Sequence, residues 1–129
     1  MKTINIARFA VGLSWIYHGL FPKLMHVAPL EKLITSTMGF SEYFSYWITK
    51  VAGIGEVIFG VLLIILFKSK SLIWLNIFGL VMLLLYVAIQ VPYVLVEAFN
   101  PVTTNLLMIA MSVIWLKELQ HRQYQPSEK

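Results

Sequence analysis

The chain has 129 residues, no cysteine, 59% hydrophobic and 12% charged residues, and a formal net charge of +4. Soluble domains carry about 25% charged residues, and a globule of this size buries only about two-thirds of its chain surface, so water cannot be the sole solvent of so apolar a chain. Disulfides, thiolate metal sites and cysteine nucleophiles are excluded. The cations lie scattered at the ends of apolar segments, which is a mark of membrane topology and not of nucleic-acid binding.

The first apolar segment, Ile4 to Leu24, is long enough for the roughly 20 residues that a helix needs to cross hydrocarbon. Lys2 and Arg8 come before its main apolar run, as in a secretory signal. No small-x-small cleavage site follows, however, and the run continues into His18 and Lys23, so an uncleaved first helix is expected. Pro22 should end or kink it. In the connection from His26 to Trp47, Leu30, Leu33 and Ile34 share one face of a short helical pattern and Gly39 supplies a stop. This predicts a short helix on the membrane surface. Tyr43, Tyr46 and Trp47 mark the interface where the chain re-enters. The second apolar segment centres on Val51 to Phe67, and Ser41 as N-cap with Glu42 in the first turn lets its helix begin well before Val51. Lys68-Ser-Lys-Ser71 is a tight basic hairpin, which predicts that the second and third helices are antiparallel neighbours. The third segment is Leu72 to Val96. Asn100-Pro101 reads as N-cap and first helical residue of a fourth segment, Pro101 to Leu116, extended toward Leu119.

The expected fold is therefore all-α: an integral membrane four-helix bundle with a short interfacial helix between helices one and two. Residues 1–119 form a single transmembrane domain and residues 120–129 a polar C-terminal tail, expected to be disordered. With the N-terminus inside, Lys2, Arg8, Lys68, Lys70, Lys117, Arg122 and Lys129 face the cytoplasm, against Lys23, Lys32 and Lys50 outside. That bias places both termini in the cytoplasm of a bacterial-type cytoplasmic membrane.

Placed by depth, the polar residues converge. His18 and Lys23 on the first helix, Glu56 on the second, Gln90 on the third, and Asn100 and Asn105 on the fourth all fall in the outer half, while the inner halves carry almost none. Gly53, Glu56 and Gly60 share a face, and such small residues let a neighbouring helix approach. Gly12, Gly19 and Lys23 form a line on the first helix, and Tyr86, Gln90, Tyr93 and Glu97 form a polar stripe at helical spacing on the third. An acidic group in the bilayer core costs about 2.5–3.5 kcal/mol, so Glu56 must be paired, protonated or wetted. The plainer account is interhelical glue, at about 0.6 kcal/mol per bond; convergence from four helices favours a ligand pocket. His26 and His121 lie away from His18, and the carboxylate–histidine pairs of a di-iron bundle are missing, so no metal site is expected. Neither a phosphate loop nor a Ser/His/Asp arrangement is visible, and the chain offers no self-contained redox centre, which argues against an enzyme acting alone.

Three stretches carry a resemblance. Arg8 to Leu24, RFAVGLSWIYHGLFPKL, resembles the first helix of the DoxX-like family of small integral membrane proteins. Gly53 to Gly60, GIGEVIFG, resembles that family's glycine–glutamate–glycine second helix, and Phe99 to Asn105, FNPVTTN, its segment before the last helix. Ala98 stands where that segment's pattern leads with proline, and His18 where many members carry glutamate. The resemblance implies a four-helix membrane protein tied to quinone-coupled or redox complexes. It would be a subunit or binding module holding a quinone-like ligand at His18, Lys23, Glu56, Gln90, Asn100 and Asn105, with a membrane or peripheral oxidoreductase as partner. The alternatives are a structural or assembly protein and, less favoured because polar groups occupy one side only, a small-solute transporter.

Overall fold

The computed structural model describes residues 3–124, which form helices and short connections and, among the described residues, no strand. The first helix, α1, spans Thr3–Gly19 and then widens into a π-helical turn, Leu20–Met25. Pro22 accounts for the widening, because it supplies no backbone N–H and crowds the preceding turn. The turn's carbonyls find other partners: Pro22 accepts from the Ala28 N–H at 2.9 Å, and Leu24 from the Lys50 ammonium at 2.6 Å. Extended backbone at Ala28 leads into α2, Pro29–Ser36, with proline in its first turn. Gly39, at φ 75°, turns the chain toward α3 in a conformation that costs glycine little.

Helix α3, Glu42–Ile65, begins where expected, with the Ser41 hydroxyl accepting from the Phe44 N–H at 3.3 Å. Ser69 caps α4, Lys70–Gln90, in the same way. The expected continuation of this helix to Val96 fails. Pro92 cannot extend it, and a 3₁₀ turn, Pro92–Val96, follows instead. The anticipated polar stripe is thereby broken: Tyr86 and Gln90 stay on the helix, while Tyr93 and Glu97 lie beyond it. Helix α5, Pro101–Tyr124, is capped by Asn100, whose Oδ1 accepts from the Thr103 N–H at 3.1 Å. It also runs past the expected end, taking up Gln120–Tyr124. The Arg122–Glu118 pair at 3.0 Å and a 2.6 Å bond from Lys70 to Gln123 hold that last stretch. The remainder of the tail, 125–129, lies outside the described residues.

Helix packing follows the glycines. A Cβ on Gly60 would meet the Gly12 carbonyl oxygen at 2.5 Å, and one on Gly19 would meet the Gly53 oxygen at 2.5 Å. Two glycine pairs, at matching levels and in antiparallel order, therefore bring the backbones of α1 and α3 into contact. Helix α1 packs next on α5, and α5 on α4. The expected neighbours α3 and α4 make no extensive interface. A tight turn ties only the helix ends, and the small residues of α3 face α1 instead.

The main core lies toward the α3–α4 hairpin, where Val11, Leu63, Ile73, Leu80, Met108, Trp115 and Leu116 are buried together. Arg8 closes that end. Its guanidinium lies 4.4 Å from the Phe67 ring centroid and donates to the Ile64 carbonyl at 3.4 Å, placing a cation at the C-terminus of α3. Above it, Trp15 Nε1 donates to Asn76 Oδ1 at 2.6 Å, and Asn76 Nδ2 donates to the Ser112 hydroxyl at 2.7 Å. The half of the bundle expected to be nearly free of polar groups thus holds this buried network.

Helices α3, α4 and α5 are each long and apolar enough to cross a membrane, and only 22%, 22% and 33% of their apolar windows is buried. Large apolar side chains such as Val51, Ile58, Trp74, Phe78 and Leu107 face outward, as lipid contact requires. Gly53→Val should destabilise the protein by about 1–3 kcal/mol through overpacking against α1. Gly55→Val, whose Cβ meets nothing within 4 Å, should stay within about 0.5 kcal/mol. Reversible unfolding in mixed micelles checks both, and equal tolerance would contradict the glycine contact.

Candidate functional site

The glycine contact sets the site. Beyond Gly19 the π turn carries Lys23 back over α3, and a Cβ on Gly53 would lie 2.8 Å from the Lys23 Cβ. Glu56 follows Gly53 by three positions on the same face. The Lys23 ammonium therefore meets Glu56, at 2.9 Å to Oε1 and 3.1 Å to Oε2. It also meets Glu31 of α2 at 2.9 Å. All three side chains are largely withdrawn from solvent, at 11% exposure for Lys23, 18% for Glu31 and 20% for Glu56.

Glu31 is the member that the sequence reading missed. It sits in a segment expected to lie on the membrane surface, where a glutamate in a first turn draws no notice. The structure turns α2 the other way. Leu30, Leu33 and Ile34 pack against Val87, Val91 and Val94, so the apolar stripe faces protein. Thr37 and Tyr86 share a 2.6 Å hydrogen bond at its end. Helix α2 is thus a roof that runs over α3 and onto the end of α4. No spacing in the sequence marks it, since Glu31 directly follows Leu30 and adjacent residues do not share a helix face.

Beneath the roof is a cavity of about 330 Å³. His18, Lys23, Glu31, Glu56, Asn100, Thr104 and Asn105 supply its polar lining, and Trp15, Leu80, Leu83, Val87 and Met108 its apolar walls. Five of the six residues expected from the sequence therefore come together. Gln90 does not: it is the last residue of α4, exposed, and absent from the lining. Asn100 lines the cavity with both ends of its amide engaged, Nδ2 to the Glu97 carbonyl at 2.8 Å and Oδ1 in the helix cap. Asn105 gives Nδ2 to the Leu80 carbonyl at 3.5 Å. Among the described residues, neither the Asn105 Oδ1 nor either nitrogen of His18 has a hydrogen-bond partner, so these groups are available to a bound molecule. The floor is Trp15, set edge-on to Phe59 with ring centroids 5.2 Å apart. Its indole leads down to Asn76, which sequence reasoning also missed because a lone asparagine in an apolar run carries no periodic signal.

A larger hollow, about 540 Å³, lies beside α2 and the start of α3. Its charged residues, Lys32 and Glu42, are exposed, so its size is not matched by chemistry. The smaller cavity is the candidate site. No group of three or more metal-ligating side chains occurs among the described residues.

A family model described as the DoxX-like family matches residues 12–113. That span contains Lys23, Glu31, Glu56 and Asn105, and it bears out the resemblance read from the three motifs. No curated protein and no solved structure gives a significant match.

Lys23 holds two carboxylates, so Lys23→Met should strand both in a poorly solvated place and cost about 3–5 kcal/mol, as removing one partner of a buried pair does. Adding Glu31→Gln and Glu56→Gln should restore most of that loss. Unfolding in mixed micelles measures the two variants. A triple variant no more stable than the single one would show that the lysine acts through packing alone.

Proposed function

The chain belongs to the DoxX-like family, and from that premise we propose that it is a four-span membrane protein serving as a ligand-binding module of a membrane redox system. The three apolar helices are joined by a fourth crossing, made of α1 and its π-helical extension. The Lys/Arg bias sets both termini on the cytoplasmic side, so the roof and cavity face outward. The observation that carries the reading is the Lys23–Glu31–Glu56 cluster, held against a cavity that also presents His18, Asn100, Thr104 and Asn105 among apolar walls. Burying three charged groups is costly for a protein that needs only to pack helices. A quinone-like molecule suits such a place. Its ring lies against Trp15, Leu80 and Met108, its oxygens reach the free polar atoms, and a carboxylate stands by to exchange a proton. Electron transfer itself is assigned to a partner oxidoreductase, because the sequence has no cysteine and offers no self-contained redox centre.

A reading as an assembly factor draws on a different observation. Lys23, Glu31 and Glu56 satisfy one another, and Asn100 is spent on capping, which is what helix packing alone would ask.

One experiment divides the two. Native mass spectrometry of protein ejected from lipid nanodiscs should show one small amphipathic molecule per chain for the wild type, lost in Glu56→Gln with expression and insertion unchanged. A bare wild-type chain, together with a fully functional Glu56→Leu variant, would favour assembly.

A further inference from the structure

We infer that the cavity is loaded sideways from the lipid, through a window between α3 and α4, by a membrane-dissolved molecule with an uncharged, hydroxyl-bearing head. This rests on the binding reading above and adds the route and the chemistry of the occupant.

The window is written on one face of α4. Leu80, Leu83 and Val87 all line the cavity, at positions three and seven apart. Leu80 is 2% exposed and Val87 1%, yet Leu83 between them is 40% exposed. Leu80 is covered by the main core, and Val87 by Leu30, Leu33 and Ile34 of the roof. Leu83 is covered by neither, so the wall is open at that level. The opening falls where α3 and α4 make no extensive interface. Of the helix seams around the chamber the others are packed: the glycine pairs join α1 to α3, α1 packs on α5, and α5 packs on α4, while at the start of α5 the lining residues Phe99 and Thr104 are also exposed. Leu83 lies 13 residues beyond Lys70, about 20 Å along the helix, a depth that belongs to hydrocarbon and not to water. From the aqueous side the roof is fastened three ways: by Lys23 to Glu31, by Thr37 to Tyr86, and by the apolar seam.

The lining specifies the head group. Two carboxylates share one ammonium, so the cluster has no positive charge to spare, and a phosphate or carboxylate head would meet excess negative charge. The Asn105 Nδ2 is committed to a carbonyl, which leaves Oδ1 as an acceptor in want of a donor. An O–H supplies that donor. His18 accepts or donates at the other end of the head. The tail of such a molecule trails through the window into the bilayer.

The probe is n-decylhydroquinone, added to full-length protein in nanodiscs, with association followed by stopped-flow indole fluorescence. Because the chain has no cysteine, Leu83→Cys can be modified at that one place. A bulky non-fluorescent maleimide there should slow association roughly tenfold, while the same label on Phe78→Cys, which is exposed on α4 and outside the cavity lining, should leave it unchanged. Loosening the roof with Thr37→Val and Leu33→Ala together should also leave it unchanged, and dodecanoate should fail to displace the probe. Faster entry with the loosened roof, and no effect of the bulky label, would overturn the lateral route while leaving the binding reading intact. Displacement by dodecanoate would overturn the head-group assignment. No binding to the wild type would overturn both this inference and the reading it rests on.

Discussion

The structure depends on the contact of α1 with α3 through paired glycines. At Gly12–Gly60 and Gly19–Gly53 each backbone occupies the space where the other's side chain would be. In lipid there is no hydrophobic force between helices, so close packing of this kind has to supply the attraction. The contact also fixes register. Once Gly19 lies on Gly53, Lys23 has nowhere to go but over Glu56, and the charged cluster is a consequence of helix packing four residues away. The same contact turns the small face of α3 away from α4, which leaves the side of the bundle open.

Two kinds of polar group therefore coexist in this small protein. The Trp15–Asn76–Ser112 network is closed, each donor meeting an acceptor among fully packed neighbours. The cavity groups are only partly closed: the ion cluster is satisfied, but His18 and part of Asn105 are not. Buried polar groups are expensive in a bilayer, and these atoms open onto the cavity instead of being sealed in the packing. Arg8 is the exception at the opposite end, where a buried Nε has no partner and the Phe67 ring covers the guanidinium.

Much of this was legible in the sequence, because local chemistry decides it. Ser41 and Asn100-Pro101 predict helix starts that the structure bears out, and the glycine–glutamate–glycine face predicts a close neighbour for α3. What failed depends on tertiary facts. Hydropathy continued past Pro92 and hid a break that one missing N–H imposes. The apolar stripe of α2 is the same pattern whether it meets lipid or Val87 and Val91, so periodicity could not say which. The KSKS turn suggested neighbours, but a turn does not choose the face on which a helix packs. Glu31 and Asn76 carry no spacing signal, and only their partners in space reveal them. Gln90 was placed by depth and by a polar stripe that the helix end at Pro92 interrupts, and neither says which side of the helix meets the cavity.

The indole beneath the cavity has a further consequence. Trp15 Nε1 can give a hydrogen bond but cannot receive one, and it gives its only one to Asn76. From there the chain passes through Ser112 and stops at the Met108 carbonyl, 2.7 Å away. Grotthuss conduction needs each member to take a proton on one side and release one on the other, so this wire has a dead end at both extremities. The side-chain network under the cavity floor is therefore a structural brace, and it offers Glu56 no hydrogen-bonded relay toward the α3–α4 hairpin.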